Sequence, residues 1–492
     1  MKRGIIAVHG MGVFKRGDFL LGLVVPLARY LESKGGKVDF EPEIGLGFHS
    51  DSETPAEVTL KVRESGGFDE EWVFREALYD QSFSPPTLGQ VLRWGSDLID
   101  EEVDAIDNVF ENPLNTSPTD HCHDNRNKPD TCQYPGRTKR LYVAQAGIFK
   151  AIAKFVAWAG PTLLVLVWLL LLLRGLPPLP ATLTRFVWVA RVVSWMRTGV
   201  NALANVLVPF AVNIIGDIKS FIDNPAAADA MRSSVEDIFL GMLQDDDIQS
   251  ITIVAHSLGG LVSYDVLTEA RPIDMHLRAN PGQRNVPGTD TCRYISWVTV
   301  GAAMNRGFSV TGRPAGAHAS QRLRSPIAAT IRDPESSTGG TERPFFWLNI
   351  FARYDWVPAG SVSSGFFQAT EVDCKQFKER LVVNVDRPIA DHHAYWKNYE
   401  LVWPRIVRAI HGGTYPWPQT ALSDEKSQQL ICEKTIRIGD RRMPFLVLLV
   451  SVLVVLLPVA ILVSLPTATI RAVTWAFARA HSLVSGDESN GM

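Results

Sequence analysis

Between Ile251 and Gly260 the chain reads Ile-Thr-Ile-Val-Ala-His-Ser-Leu-Gly-Gly, a buried type of strand run that ends in Ser257 and passes into a helix-like stretch. A serine can occupy a tight strand-to-helix turn only when the residues two before and two after it are small, because their side chains would otherwise meet in the turn. Ala255 and Gly259 meet that condition. Such a turn lifts the Ser257 hydroxyl above the sheet edge, where it can attack a carbonyl carbon. The helix behind it aims its partial positive end at the oxyanion that develops. A second segment suits the same chemistry. The run from Gly4 to Val8 ends in His9-Gly10-Met11-Gly12, whose glycines let backbone N–H groups turn inward and approach a substrate closely, as the other half of an oxyanion hole requires. The alternative is a glycine-rich strand–helix junction with an incidental serine, and the second segment counts against it.

Together these segments resemble the α/β-hydrolase superfamily, in particular its lipase and esterase branches, where an HG-type loop follows an early strand and the elbow reads G-x-S-x-G or A-x-S-x-G. The resemblance implies that Ser257 is the nucleophile and that the backbone amides of Met11 and Leu258 hold the oxyanion, with His9, Gly10, Gly12, His256 and Gly259 in supporting places. It also implies the chain order nucleophile, acid, histidine, each just after a successive strand. The run Phe346 to Phe351 leads into Asp355-Trp356-Val357-Pro358, similar to the D-P-V setting of the acid in lipase-like relatives, with Trp356 where proline is usual. After Leu381 to Val385 comes Asp391-His392-His393-Ala394-Tyr395-Trp396, and the family's frequent H-x-x-Y spacing selects His392 over His393. Asp373, Asp386 and Asp391 compete for the acid, but the last two lie too near His392 in sequence to come from the preceding strand. In the implied mechanism His392 takes the Ser257 proton and returns it to the leaving group, while Asp355 fixes the imidazole tautomer. His256 packs or orients the elbow. No metal or organic cofactor is implied. The resemblance covers roughly residues 1–45 and 247–411.

The elements that must position these groups are strand-like runs at Gly4 to Val8, Glu57 to Val62, Ile251 to Ala255, Ser296 to Val300, Phe346 to Phe351 and Leu381 to Val385. Helix-like runs stand at Phe19 to Leu31 and Leu258 to Thr268. Short β-branched runs alternating with helices predict an α/β fold, a mostly parallel sheet covered on both faces. Four blocks follow: residues 1–145 as the first part of the hydrolase domain, 151–216 as a membrane insert, 217–442 as the second part of that domain, and 443–492 as a membrane span and tail. Residues 112–138 are rich in Asn, Asp, Pro and Thr without a hydrophobic period, which reads as a loop. His121, Cys122, His123 and Cys132 within it have the residue types of a zinc site but no usual finger spacing, so a solvated loop with free thiols is preferred and no metal is expected. Asp245-Asp246-Asp247 reads as a solvated turn before a strand.

The chain has 492 residues, 49 Lys and Arg against 52 Asp and Glu, and a net charge of −3, with no long basic run for nucleic acid. Its five cysteines are too few and uneven for a disulfide framework and fit free thiols in a reducing compartment. MKRGIIAVHGMG enters a strand at once, without the h-region or cleavage site of a signal peptide. Phe155 to Leu173 is charge-free for 19 residues and Met443 to Ile470 for 28, each long enough to span a bilayer. Phe186 to Gly216 carries Arg191 and Arg197, so its crossing part would be Thr198 to Gly216, and Thr184 to Arg197 could instead lie in the interface. The strands at Gly4 and Ile251 must share one sheet, which demands an even number of crossings, or a re-entrant hairpin, between them. Arg137, Lys139, Arg140, Lys150 and Lys154 before the first span, against Arg174 and Arg185 after it, place the hydrolase domain in the cytoplasm. The expected protein is a membrane-anchored serine esterase or lipase acting on lipidic acyl esters. Its rivals are a thioesterase or phospholipase with the same triad and a catalytically silent hydrolase fold serving as a membrane interaction module.

Overall fold

A computed structural model describes residues 1–10, 14–42, 55–63, 69–79, 221–222, 224–269, 273, 275–276, 279–280, 293–304, 345–352, 355, 357–358, 362, 377–384, 392–411, 430–431 and 434. The chain divides into two compact units, Met1–Gln133 with Val156–Lys434, and Tyr134–Phe155 with Thr435–Met492; every described residue lies in the first. The expected membrane segments, the 112–138 loop with its Cys and His residues, and Asp373, Asp386 and Asp391 all fall outside the described residues. Among those described, no helix is long and apolar enough to cross a membrane.

In chain order the elements are β1 (Lys2–Val8), α1 (Asp18–Ser33), β2 (Lys37–Pro42), β3 (Glu57–Arg63), β4 (Asp69–Ala77), α2 (Pro225–Gln244), β5 (Ile248–His256), α3 (Leu258–Glu269), β6 (Tyr294–Val300), β7 (Phe345–Ala352), β8 (Phe377–Val382), a 3₁₀ turn (Tyr395–Lys397) and α4 (Trp403–Ile410). The eight strands form one sheet in the order β2-β3-β4-β1-β5-β6-β7-β8. It is mostly parallel, as expected, but mixed: β2 pairs antiparallel with β3, and β3 with β4, while every other neighbour is parallel.

The strand pattern explains this division. β1, β5 and β6 are buried along nearly their whole length, as strands covered on two faces must be, whereas β3 alternates buried and half-exposed positions. On one face α2 and α3 bury Met231, Val235, Phe239 and Val262 against Ile6, Ile253, Trp297 and Trp347 in a continuous apolar core. Successive strand residues point to opposite faces, so Ile5, Ala7, Val254 and Val298 are buried on the other side, where α1 and α4 pack. Trp297 and Trp347, cross-strand partners on β6 and β7, stack at 4.4 Å, and Phe377 follows on β8 at another 4.4 Å. Their indole N–H groups donate to Ser263 Oγ at 2.9 Å and Thr299 Oγ1 at 3.0 Å, so burial leaves neither donor unpaired.

Two strands, β2 and β4, and two helices, α2 and α4, depart from the sequence expectation. β2, β4 and α2 lack a clean apolar run, and β4, although interior, carries Asp69, Glu70, Glu71, Arg75 and Glu76. Partners elsewhere in the fold make those charges tolerable. Arg3 on β1 forks onto Glu70 at 2.9 and 3.1 Å and also donates to the Ile410 carbonyl at 3.1 Å, fastening the end of α4 to the base of the sheet. Glu76 accepts from the N–H groups of Gly17 and Leu20, satisfying free donors at the start of α1. β8 also begins and ends earlier than the expected Leu381 to Val385, because Lys378, Glu379 and Arg380 disguise its first half. The acidic triplet before β5 is a turn, and Asp245 binds Lys2 Nζ at 2.8 Å.

Candidate active site

Since β1, β5, β6, β7 and β8 run parallel, their C-terminal ends share one edge of the sheet. From β1 the chain leaves for the β2 edge, returns to β4 on one side of β1, and then crosses to β5 on its other side. The gap between β1 and β5 is therefore the topological switch point, where connections diverge and leave a crevice. Val8 and Ala255 are register partners there, so His9-Gly10 and Ser257 emerge side by side.

Ser257 has φ 55°, and no other described non-glycine residue has a positive φ. A side chain in this left-handed region costs about 1–3 kcal/mol and persists only where the surroundings enforce it. Three backbone hydrogen bonds do so: the Ser257 N–H donates to the Val300 carbonyl, and the Ser257 carbonyl accepts from Gly260 and Ala303, each at 3.1 Å. The turn is closely invested on every side. A Cβ on Gly10 would lie 2.6 Å from Ser257 Cβ; one on Gly259 would lie 2.4 Å from the His9 carbonyl oxygen; one on Gly260 would lie 2.4 Å from Ala302 Cβ. The Gly259 requirement arises from the backbone at the end of β1 rather than from a meeting with residue 255. Leu258 opens α3, where first-turn N–H groups have no intrahelical acceptor. Met11 and Gly12 lie outside the described residues.

The structure joins the other two expected residues. Asp355 follows β7, and its Oδ2 lies 2.8 Å from His392 Nδ1; the pair is buried, with side chains 0% and 6% exposed. Val357 N–H donates to Asp355 Oδ1 at 2.9 Å. His393 is exposed and His392 is the one turned inward, so geometry selects the same histidine as the H-x-x-Y spacing. The His392 loop is tied down by Asn398, whose amide donates to the Val383 carbonyl and to Asn384 Oδ1, both at 3.1 Å, and whose Oδ1 accepts from Leu401 N–H at 3.0 Å. Asn398 leaves no mark in the sequence, where a lone asparagine after two aromatics carries no pattern. Ser257 Oγ is buried and has no hydrogen-bond partner in the structure. No hydrogen bond therefore joins Ser257 Oγ to His392 in the structure.

The two supporting histidines have distinct tasks. His256 stacks on His392 at 4.7 Å, and its Nε2 meets the His392 carbonyl at 3.2 Å, so it braces His392 rather than the elbow alone. Burial, with the neighbouring His392, pushes its titration well below the usual histidine range. His9 stacks on Tyr79 at 4.0 Å. Its Nε2 accepts from Tyr79 N–H at 3.3 Å, which leaves Nδ1 protonated and donating to the Gly10 carbonyl at 2.7 Å. Burial lowers His9 to about 4.

That depression has a consequence for stability. A histidine whose folded value lies below its unfolded one binds more protons unfolded, so its contribution is complete above about pH 6.5 and is lost as pH falls toward 4. For His9 the loss between pH 7 and pH 5 is on the order of 2 kcal/mol. His411, brought to about 4 by burial and by Arg3, adds the same sign. Urea titrations at those two pH values should give a smaller difference for His9→Phe, which keeps a ring on Tyr79 but cannot titrate. An unchanged difference would show that His9 takes up its proton equally in the folded and unfolded states.

Among the described residues no cluster of His, Cys, Asp or Glu could hold a metal ion. Searches of protein-family models, curated proteins and solved structures found no match to this chain.

Proposed function

We propose that this chain is a membrane-anchored serine hydrolase of the α/β-hydrolase type that cleaves carboxylic esters, with lipidic acyl esters favoured, through an acyl-enzyme. The observation that carries the reading is the coincidence, on one sheet edge, of a serine held at φ 55° and a buried Asp355–His392 pair. A left-handed, closely packed serine is strain without structural benefit unless its hydroxyl is used.

The chemistry follows from the positions. His392, its Nδ1–H directed to Asp355, has Nε2 left to accept the Ser257 proton as Oγ attacks the ester carbonyl. The imidazolium then protonates the departing alkoxide, leaving an acyl-serine. Water, deprotonated by His392, attacks that ester, and the proton passes back to Ser257. The Leu258 amide, with that of Met11, would hold the oxyanion of both tetrahedral states.

The unpartnered Ser257 Oγ favours one rival, a silent hydrolase fold used as a membrane module. Fluorophosphonate treatment decides between them: the hydrolase reading expects one adduct, mapped by peptide mass spectrometry to Ser257, and absence of any adduct would favour the silent module. A thioesterase or phospholipase would give the same adduct and differ in substrate preference.

Membrane attachment rests on the charge-free runs from Phe155 and Met443 and on the basic residues before the first. The protein should stay in membranes through carbonate and high salt and come out only with detergent. With the native cysteines replaced by serine, Met275→Cys, at a position 68% exposed, should react with an impermeant maleimide only after cells are permeabilised. Labelling in sealed cells would reverse the orientation, and carbonate release would remove the spans.

A further inference from the structure

We infer that Tyr395 is a positioning residue that shares the Asp355 carboxylate with His392 and thereby sets the pH range over which His392 acts as a base. This rests on the serine-hydrolase reading above. The Tyr395 hydroxyl donates to Asp355 Oδ2 at 2.7 Å, the same oxygen that faces His392 Nδ1 at 2.8 Å. It accepts in turn from the N–H of Ala352, the last residue of β7, at 2.8 Å. The phenol is fully buried, so its proton has no solvent to prefer over the carboxylate. Asp355 Oδ1 is occupied by Val357 N–H. Three donors thus converge on one carboxylate, and only one of them belongs to the base.

The space for this arrangement is made by Gly301. It has φ 57°, and a Cβ there would stand 2.7 Å from Tyr395 Cε2 and 3.0 Å from Asp355 Oδ2. Gly301 N–H donates to the Ile350 carbonyl at 2.8 Å, which fixes the turn next to β7. A side chain at 301 would displace phenol and carboxylate together, so the backbone at the end of β6 is shaped around their hydrogen bond.

A second donor on Oδ2 withdraws negative charge from the oxygen that stabilises the His392 imidazolium. With Tyr395 in place the imidazolium is less favoured, and the base works to lower pH. Tyr395→Phe removes the hydroxyl while keeping the ring. The imidazolium gains stability, so the acidic limb of the kcat/KM profile moves to higher pH, by about 0.5–1 unit. The carboxylate, less restrained, costs about tenfold in plateau kcat, the scale of one hydrogen bond. KM stays near its parent value, because Tyr395 is buried beneath the acid and reaches no substrate.

The experiment measures p-nitrophenyl ester hydrolysis against pH on the full chain in detergent, normalised to the fraction labelled by fluorophosphonate, for the parent, Tyr395→Phe, Asp355→Asn and the double variant. The expected result is a raised acidic limb in Tyr395→Phe and no further movement when the same change is made in the Asp355→Asn background. A purely structural role would lower the labelled fraction and leave the limb in place, and that result overturns the proposal, as does an equal shift in both backgrounds. If Tyr395→Phe fails to fold, 3-fluorotyrosine at 395 keeps ring and hydroxyl but donates more strongly, and the limb should move to lower pH; an unmoved limb overturns the proposal there too. Failure of the parent to label at Ser257 would end the hydrolase reading and the proposal with it, whereas a labelled parent with an unmoved limb ends the proposal alone.

Discussion

Ser257→Ala is expected to abolish fluorophosphonate labelling and to lower hydrolysis of short acyl esters by about 10⁶-fold, the loss seen when a triad nucleophile is removed. The fold should be untouched, and the structure says why. Every hydrogen bond that holds the elbow uses the Ser257 backbone: its N–H to Val300 and its carbonyl to Gly260 and Ala303. The Oγ has no partner, so deleting it orphans no buried group. Alanine keeps the Cβ, hence the same left-handed strain and the same contact with Gly10. Thermal unfolding of the two proteins should therefore agree within the range of ordinary surface substitutions, about 0.5 kcal/mol. Equal labelling of the variant and the parent would move the nucleophile elsewhere and end the assignment.

Asp355→Asn should reduce kcat by about 10⁴-fold, and it should also reduce stability. Both effects come from the three donors that converge on this side chain. Oδ2 accepts from Tyr395 and faces His392 Nδ1, while Oδ1 accepts from Val357 N–H. An asparagine amide must present its NH₂ on one side or the other, so in either orientation it meets a donor with a donor. Turned toward His392, it forces the imidazole into the tautomer whose Nε2 carries a proton and cannot accept one from Ser257. Turned toward Val357, it leaves a buried N–H unpaired, at a cost of about 1–3 kcal/mol. Asp373→Asn and Asp386→Asn should keep parental activity. Full activity in Asp355→Asn, with loss in either of the others, would transfer the acid role and break the correspondence with the buried pair.

Much of the site is legible in the amino-acid order because its residues occupy the ends of short apolar strands, and strand ends leave a local trace. The run from Ile251 announces β5, and small residues around Ser257 announce the turn. The runs before Asp355 and His392 place those residues at an edge, though their pairing rests on resemblance until the 2.8 Å contact between them is in view. The HG segment after β1 is legible for the same reason, and so is the α/β class of the fold.

Elements whose strands carry charge are not legible. β4 lies inside the sheet with five charged residues because Arg3, 67 positions from Glu70, supplies the counter-charge and the start of α1 receives Glu76. Hydrophobic periodicity reports which face of an element is buried, but it is silent about a distant partner that makes a buried charge tolerable. The same limit hides Asn398, the left-handed Gly301 and the task of Tyr395, since each is defined by what the fold brings against it. The sequence by itself determined the chemistry available, a serine, an acid and a histidine in order at strand ends. Only the tertiary structure decided which histidine nitrogen meets which oxygen and what else competes for it, because those are matters of tenths of an ångström between residues that the chain order keeps far apart.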